Sequence, residues 1–125
     1  MKILESAENY LESILMLGKE KNSVRAIDIV NHLGFSKPSV SIAMKQLETN
    51  GFITRDDDGF IHLTESGQEI AESVYERHDL LTRHLVSIGV SPETAEDDAC
   101  RIEHYISQET FEAIKAHHTR SHDNS

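Results

Sequence analysis

The chain has 125 residues, which allows one compact unit or a small domain with a helical extension and excludes a second large domain. Its 38% hydrophobic and 27% charged residues, with two prolines and six glycines, are typical of a folded protein and not of a disordered or fibrous one. The net charge is −10. The sequence has no run of about 18 apolar residues and turns acidic early, so we expect a cytoplasmic protein with no membrane span or secretory signal.

The negative charge is concentrated in the second part of the chain. Residues 1–50 carry six basic and six acidic side chains, whereas residues 51–125 carry six basic and sixteen acidic ones. A neutral first part leaves room for a local basic surface that could meet nucleic acid. The acidic second part would suit a cation.

Two amphipathic segments open the chain. Residues 6–21 carry apolar side chains at helical spacing and predict a first helix. After a short turn, VRAIDIVNHLG predicts a second helix that ends at Gly34, where glycine favours a left-handed backbone. The inner face that we expect for this second helix consists of Ile27, Val30 and Leu33.

A third helix and a hairpin follow. FSKPSVSIAMKQLETNG predicts a helix with Ser36 as N-cap and Pro38 in the first turn, where a missing N–H costs nothing. Two short β-prone runs, 52–55 and 60–64, flank an Asp-rich turn and predict a β-hairpin. The inner stripe that we expect for the third helix consists of Val40, Ala43, Met44 and Leu47.

The remainder of the chain reads as helical. A long pattern runs from residue 65 to about 88, a second helix is expected over 91–106, and a last short one over 108–117. The tail, 118–125, has no apolar pattern, and we expect it to be frayed. Apolar residues of the last two helices favour burial against a second copy of the chain: Tyr105, Ile106, Phe111 and Ile114.

This order of elements is that of a winged helix-turn-helix, so we expect a mainly α fold. The predicted DNA-binding domain covers residues 1–64, and a helical metal-binding and dimerisation domain covers residues 65–125. The third helix presents groups that can donate to phosphates or base edges. The candidate DNA-contacting residues are Arg25, Ser36, Lys37, Pro38, Ser39, Ser41, Lys45 and Gln46. The acidic tip of the wing would be repelled by phosphate. The alternative interpretation of the polar residues of the third helix is that they form an ordinary solvated helix face.

A candidate metal site lies in DACRIEHYIS. On a helix, Cys100, Glu103 and His104 share one face because they stand at positions i, i+3 and i+4. Thiolate, carboxylate and imidazole together suit a first-row divalent ion. One helix does not complete the coordination, and further candidate donors are His78, Asn9 and Glu12. Each of these six residues could instead be an ordinary core or surface residue.

Four stretches together resemble the DtxR/MntR family of metal-dependent transcriptional repressors. They are AENYLESI, FSKPSVSIAMKQLETNGFI, LTESGQEIAESVYERHDLL and DDACRIEHYIS, in the family's order, and the resemblance spans about residues 4–117. It implies an N-terminal winged helix that binds DNA, following helices that dimerise, and ferrous or manganous ion as corepressor. By position it implies ligand roles for Cys100, Glu103, His104, His78, Glu12 and Asn9.

The resemblance also implies a function and a branch of the family. We expect a homodimer that binds palindromic operator DNA and controls metal-homeostasis genes, with Fe(II) or Mn(II) as corepressor and Co(II), Ni(II) or Zn(II) as substitutes in vitro. Cys100 matches the iron-sensing branch, whereas Asn9 replaces the Met of that branch and the Asp of the manganese-sensing branch. Because the sequence stops near residue 125, the short members without an SH3-like domain are the expected match.

Two rival functions remain open from the sequence. One is a metal-independent winged-helix regulator in which Cys100 acts as a redox sensor. The other is a small metallohydrolase built on the Cys/Glu/His set. No glycine-rich phosphate loop and no nucleophile elbow accompany that set, so we expect a protein that is not an enzyme.

Overall fold

The computed structural model of the chain describes the backbone of residues 5–123 and the side chains of residues 6–120. This range forms six helices and a two-stranded antiparallel sheet: α1 (Glu5–Lys21), α2 (Ala26–Leu33), α3 (Lys37–Thr49), β1 (Ile53–Arg55), β2 (Ile61–Leu63), α4 (Glu65–Ser87), α5 (Pro92–Ile102) and α6 (Gln108–Asp123). Of these helices, none is both long enough and apolar enough to traverse a bilayer. The predicted mainly helical fold with a winged helix-turn-helix is confirmed.

The chain divides into two compact units. The first extends through Ser73 and the second begins at Val74, so the division falls inside α4. The first unit therefore holds the three N-terminal helices, the sheet and the start of α4. The second holds the remainder of α4 together with α5 and α6.

The core of the first unit is built from one face of each element. The strands contribute Ile53 and Ile61, and Val24, which precedes α2, forms an isolated bridge with Ile61. The helices bury apolar side chains at helical spacing: Tyr10, Leu11, Ile14, Leu15 and Leu17 from α1, Ile29 from α2, and Val40, Met44 and Leu47 from α3.

The expected inner face of α2 is corrected in part. Ile29 is fully buried, whereas Ile27 is 44% exposed. Val30 and Leu33 are half-buried, so the inward face runs through positions 26, 29, 30 and 33. The sequence has apolar residues on both possible inner faces, the one with Ile27 and the one with Ile29, and the packing of the helix determines which of them is buried.

The turn between α2 and α3 has the conformation that the sequence predicts. Gly34 has a φ of 73°, in the left-handed region, and its N–H donates to the carbonyl of Val30 at 2.9 Å. Ser36 caps α3, with its Oγ 3.3 Å from the N–H of Ser39, and Pro38 lies in the first turn. These local signals set the start of α3, and burial of Val40, Met44 and Leu47 leaves its polar face outward.

The wing is a short hairpin in which Ile53 pairs with Leu63 and Arg55 with Ile61. The strands are shorter than the expected 52–55 and 60–64 runs. The Oδ1 of Asp56 accepts the N–H groups of Asp58 at 3.0 Å and Phe60 at 2.9 Å, which closes the turn. A hydrogen bond from His62, with help from these N–H groups, lowers the pKa of the Asp56 carboxyl. Asp56, the first acidic residue of the wing, therefore stabilises the turn of the hairpin.

Two expectations for the last helices are wrong. Helix α5 ends at Ile102 and does not reach residue 106, because residues 103–106 turn the chain toward α6. The expected frayed tail is instead the end of α6, which continues to Asp123 and buries His118. Positions 124 and 125 lie outside the described residues. The tail lacks an apolar stripe but contains this one buried histidine.

Gly67, in the first turn of α4, packs directly against the backbone of Phe52. A methyl group at position 67 would overlap the Phe52 carbonyl oxygen and stand 3.0 Å from its carbonyl carbon. We expect Gly67→Ala to lower the free energy of unfolding by ~1–3 kcal/mol, measured by urea denaturation. Gly18→Ala is the matched control, because apart from its chain neighbours and the backbone of its own helix no described atom lies within 4 Å of the added carbon. It should gain roughly 0.5–1 kcal/mol. Equal stability of the two variants would contradict the close contact.

Asp28 ties the start of α2 to the end of α1. Its Oδ2 accepts the N–H of Arg25 and its Oδ1 accepts Lys21 Nζ, each at 2.9 Å. The Lys21 hydrogen bond is the main cause that lowers the pKa of Asp28 below its ordinary 3.8. A lowered pKa means that the charged form stabilises the fold above pH 3.8 and that this stabilisation is lost as the pH falls through the folded-state value. We expect Asp28→Asn to cost ~0.5–1 kcal/mol at pH 7, and the difference in urea midpoint from wild type should vanish at acid pH.

Candidate metal centre and DNA-binding surface

Three potential ligands converge in the second unit. They are His78 on α4, Cys100 on α5 and Glu103 just after α5, and one ligand atom from each lies within 4.8 Å of the others. Glu103 caps α5 with helical angles of −57° and −26°, and its N–H still donates to Ala99 at 3.0 Å. The predicted one-turn spacing between Cys100 and Glu103 is therefore retained although the helix ends at Ile102. His78 reaches the same point from α4.

The carboxylate of Glu103 is the centre of this cluster. Its side chain is fully buried, and its Oε2 lies 2.8 Å from His78 Nδ1. The other oxygen, Oε1, accepts no hydrogen bond from the described residues, and His104 Nε2 lies 3.4 Å from it, outside hydrogen-bond geometry. A buried carboxylate oxygen with no donor is costly unless a positive charge faces it. The residues present therefore fit a bound cation.

The same contact orients His78. Because an ionised carboxylate only accepts, the Nδ1 of His78 donates in this contact, and in the neutral form of the ring Nε2 carries the lone pair. A carboxylate that holds one imidazole nitrogen in this way fixes the ring and makes the other nitrogen a better ligand. Together with the Cys100 sulfur, this donor set is suited to a first-row divalent ion.

His104 does not share the helical face with Cys100 and Glu103. It lies in the turn after α5, with only 1% of its side chain exposed, and it is not one of the three mutually close ligands. The i+4 spacing predicted a common face, but that geometry requires the helix to continue past Ile102. The Nε2 of His104 is nevertheless 3.4 Å from Glu103 Oε1.

Arg77 holds the backbone of this turn, and the sequence did not single it out. Its Nη1 donates to the carbonyls of Glu103 at 3.2 Å and Ile106 at 3.1 Å, and its Nη2 donates to Gln108 Oε1 at 2.7 Å. Its guanidinium also lies 5.4 Å from the ring centroid of Phe111. No local motif marks these partners, because they are 26 to 34 residues away along the chain.

The two remaining ligand candidates belong to the first unit. Asn9 and Glu12 stand three residues apart on α1, so they project from one face of that helix. Glu12 is buried, with 7% of its surface exposed, and Asn9 is half-buried. A buried carboxylate is uncommon, which keeps Glu12 a candidate ligand.

The candidate DNA-contacting side chains form an exposed surface on the first unit. All eight are exposed, and seven of them lie on α3 or at its N-cap. Ser36 and Ser39 share a hydrogen bond between their hydroxyls at 2.8 Å, and the guanidinium of Arg25 lies 4.4 Å from the ring centroid of Phe60 on the wing. Arg25 is thereby held beside the hairpin, with its charge outward.

Ile42 is an apolar residue on this polar surface that the sequence prediction missed. It is 60% exposed, and with Lys45, Gln46, Thr49 and Asn50 it lines a surface cleft of about 520 Å³. The signal was in the sequence, since position 42 is outside the buried stripe of Val40, Met44 and Leu47. An exposed isoleucine among hydrogen-bonding residues suits contact with an apolar group of a DNA base.

A winged helix joined to a helical unit with a thiolate, carboxylate and imidazole cluster defines the class of metal-responsive DNA-binding regulators. Two family profiles match nearly the whole chain. Residues 2–59 match the "Iron dependent repressor, N-terminal DNA binding domain", and residues 64–121 match the "Iron dependent repressor, metal binding and dimerisation domain". The chain therefore belongs to the iron-dependent repressor family, to which the DtxR/MntR-type repressors belong. These are transcriptional regulators and not enzymes.

Individual relatives agree with this assignment. The transcriptional regulator MntR of Salmonella typhimurium is 37% identical over 121 residues, which cover 97% of this chain and 76% of the relative. MntR of Escherichia coli O157:H7 is 36% identical over 111 residues, covering 89% and 72%. A solved manganese-dependent transcriptional repressor in complex with manganese superposes with a TM-score of 0.81 at 27% identity. The match covers 88% of this chain but only 51% of that one.

The contacts of Arg77 lead to a prediction about metal binding. Arg77→Ala removes the donors that hold the turn carrying Glu103, so we expect metal affinity to fall by roughly 10–100-fold. Competition with a chromophoric chelator for Co(II) would measure this change. Arg83→Ala is the control, because Arg83 lies on the same helix and pairs with Asp79, one turn earlier on that helix. If the two variants bind Co(II) equally well, Arg77 does not position the site.

Proposed function

We propose that this protein acts in the cytoplasm as a homodimeric repressor of metal-homeostasis genes, with Mn(II) or Fe(II) as corepressor and a palindromic operator as its DNA target. The family's DNA-binding and dimerisation profiles support the DNA partner and the homodimer. The observation that carries the metal dependence is the buried Glu103 carboxylate, which has one oxygen on His78 and the other without a donor among the described residues.

The proposed ligands are those of the cluster and its neighbours. The three central ligands are His78, Cys100 and Glu103. His104 is close enough to Glu103 to act as a further ligand. For Asn9 and Glu12, ligand roles rest on the family resemblance and on the burial of Glu12. An ion bound by these donors supplies positive charge that balances the carboxylates.

The choice between manganese and iron follows from the donors. Curated relatives are named MntR, and one solved relative is described as manganese-dependent, which supports Mn(II). The thiolate of Cys100 is a soft donor that favours Fe(II), Co(II) or Zn(II) over Mn(II), and the amide of Asn9 is a weaker ligand than a carboxylate. Both ions therefore stay in the proposal.

Metal binding and DNA binding are proposed to be thermodynamically linked. An ion bound in the second unit would favour the form of the homodimer in which two recognition helices enter successive major grooves. Such a link is reciprocal, with an expected coupling of about 1–3 kcal/mol, or roughly 5–150-fold in DNA affinity. Neutralised carboxylates would also weaken the repulsion between an acidic protein and phosphate.

The corepressor proposal is tested by DNA binding with and without metal. A fluorescent duplex would first be selected from a random-sequence library in Mn(II), and apo-protein would then be titrated into it with Mn(II), Fe(II), Co(II) or Zn(II) while anisotropy is recorded. We expect Mn(II) or Fe(II) to raise the affinity roughly 5–150-fold and Glu103→Gln to remove this gain. The proposal fails if the protein in chelator binds a duplex selected without metal as tightly as the protein in Mn(II) binds the duplex selected in Mn(II).

The same titration distinguishes the rival regulator. Co(II) bound by Cys100 should give a thiolate charge-transfer band that is absent from Cys100→Ser. A band that survives in Cys100→Ser would remove this residue from the ligands. DNA affinity that changes with oxidation of Cys100, and not with metal, would instead favour the redox sensor.

The DNA surface is tested by a contrast between two residues of α3. Lys45→Ala should weaken binding to all sequences alike and make the salt dependence shallower, by ~0.9 in the logarithmic slope for each phosphate that Lys45 neutralises. Ile42→Ala should leave that slope unchanged and relax the preference for one base pair, because an apolar side chain can contact a thymine methyl group. Salt-dependent anisotropy and repeated selection from the random library would measure the two effects. A changed salt slope for Ile42→Ala would argue against base contact.

A further inference from the structure

Three histidines meet where α6 passes the end of α4, in the second unit. The Nδ1 atoms of His84 and His118 are 3.2 Å apart. The ring centroid of His84 lies 5.3 Å from that of His118 and 6.1 Å from that of His117. His118 is buried, His84 is half-buried and His117 is exposed. These three residues are separate from the candidate ligands of the Glu103 cluster.

The spacing of the two Nδ1 atoms fits a shared ion. Two ligands at 2.0–2.1 Å from a zinc ion are about 3.3 Å apart when the coordination is tetrahedral. Each neutral imidazole offers one nitrogen lone pair, and a ring buried without charge is the form that binds metal. A hydrogen bond between the same atoms would require one ring to donate and the other to accept, and it would use only one proton.

The surroundings supply further donors and access. His84 and His117 line a surface cleft of about 320 Å³ together with Glu109, Thr110, Ala113 and Ile114. Residues 109, 113 and 117 follow each other at intervals of four on α6, so the Glu109 carboxylate and the His117 ring face the same cleft. Two ligands would thus be set by packing, and His117, whose ring centroid lies 6.1 Å from that of His84, would join them only after a change of its rotamer. The cleft admits water to the remaining positions.

From this geometry we propose a second metal site formed by His84, His118 and His117, selective for zinc, copper or nickel. Imidazole nitrogens without a thiolate or buried carboxylate favour these ions over Mn(II) and Fe(II). The site goes beyond the proposed corepressor function and does not require it. An ion here would fasten α6 to α4, which otherwise meet through contacts such as Lys115 with Glu76 at 2.6 Å. Zinc would then stabilise the second unit independently of the Glu103 cluster.

The first test counts bound ions on the full chain. Zn(II) titration by calorimetry in wild type should give one more ion per chain than in His84→Asn or His118→Asn. His117→Asn, at an exposed position, should fold normally and bind the second ion at least about tenfold more weakly. His32→Asn is the control, since His32 is an exposed histidine of the first unit. If the zinc stoichiometry and affinities are the same in wild type, His84→Asn and His117→Asn, the site does not exist.

The second test separates this site from the corepressor cluster. In Cys100→Ser/Glu103→Gln, zinc should still raise the melting temperature, and adding His84→Asn should abolish the rise. Long-range ¹H–¹⁵N spectra of the double variant should show the ring signals of His84 and His118 shifting on addition of zinc, while the ring of His32 stays unchanged. Zinc that shifts neither ring and leaves the melting temperature unchanged overturns the proposal. That result says nothing against metal-dependent DNA binding, which is measured separately with Mn(II) and Fe(II).

Discussion

The Glu103 carboxylate is excluded from water at the end of α5, where side chains of α4 and α5 converge on it. His78 contacts one carboxylate oxygen of Glu103, and Arg77 donates a hydrogen bond to the backbone carbonyl of Glu103. Two neighbouring residues of α4 therefore hold both the side chain and the main chain of Glu103. Arg77 also reaches Gln108 in the first turn of α6. A buried charge is tolerated only when its oxygens are compensated, and no described residue donates a hydrogen bond to the second oxygen. A cation bound at this turn would compensate the second oxygen and so stabilise the fold.

The first unit depends on different interactions. Its recognition surface does not depend on buried charge but on exposed donors held by a cap, a tight turn and a short hairpin, each determined within a few residues. The equal numbers of basic and acidic side chains in residues 1–50 suit contact with phosphate, whereas the acidic excess beyond them suits cations. The two tasks of a metal-responsive regulator are thus separated along the chain. Family membership explains why both occur in one protein.

Helix α4 carries two histidines with contrasting surroundings. His78 faces a carboxylate and a thiol, whereas His84 faces two further histidines. The mixed thiolate, carboxylate and imidazole donors beside His78 suit a first-row divalent ion, and an all-imidazole set suits ions higher in the divalent affinity series. The two sites would therefore differ in their affinity for Mn(II) and Fe(II), whereas zinc is favoured at both because the thiolate of Cys100 also prefers it.

The sequence by itself determined the elements, the family and the turns that depend on neighbouring residues. Gly34, Ser36 and the one-turn spacing of Cys100 and Glu103 were readable because each acts on residues within about one helical turn. Only the tertiary structure decided that Ile29 and not Ile27 turns inward, that α5 ends before His104, and that His118 is buried. The contacts of Arg77 and His78 with Glu103 span 26 and 25 residues. Packing between helices decides such contacts, and the local sequence pattern does not predict them.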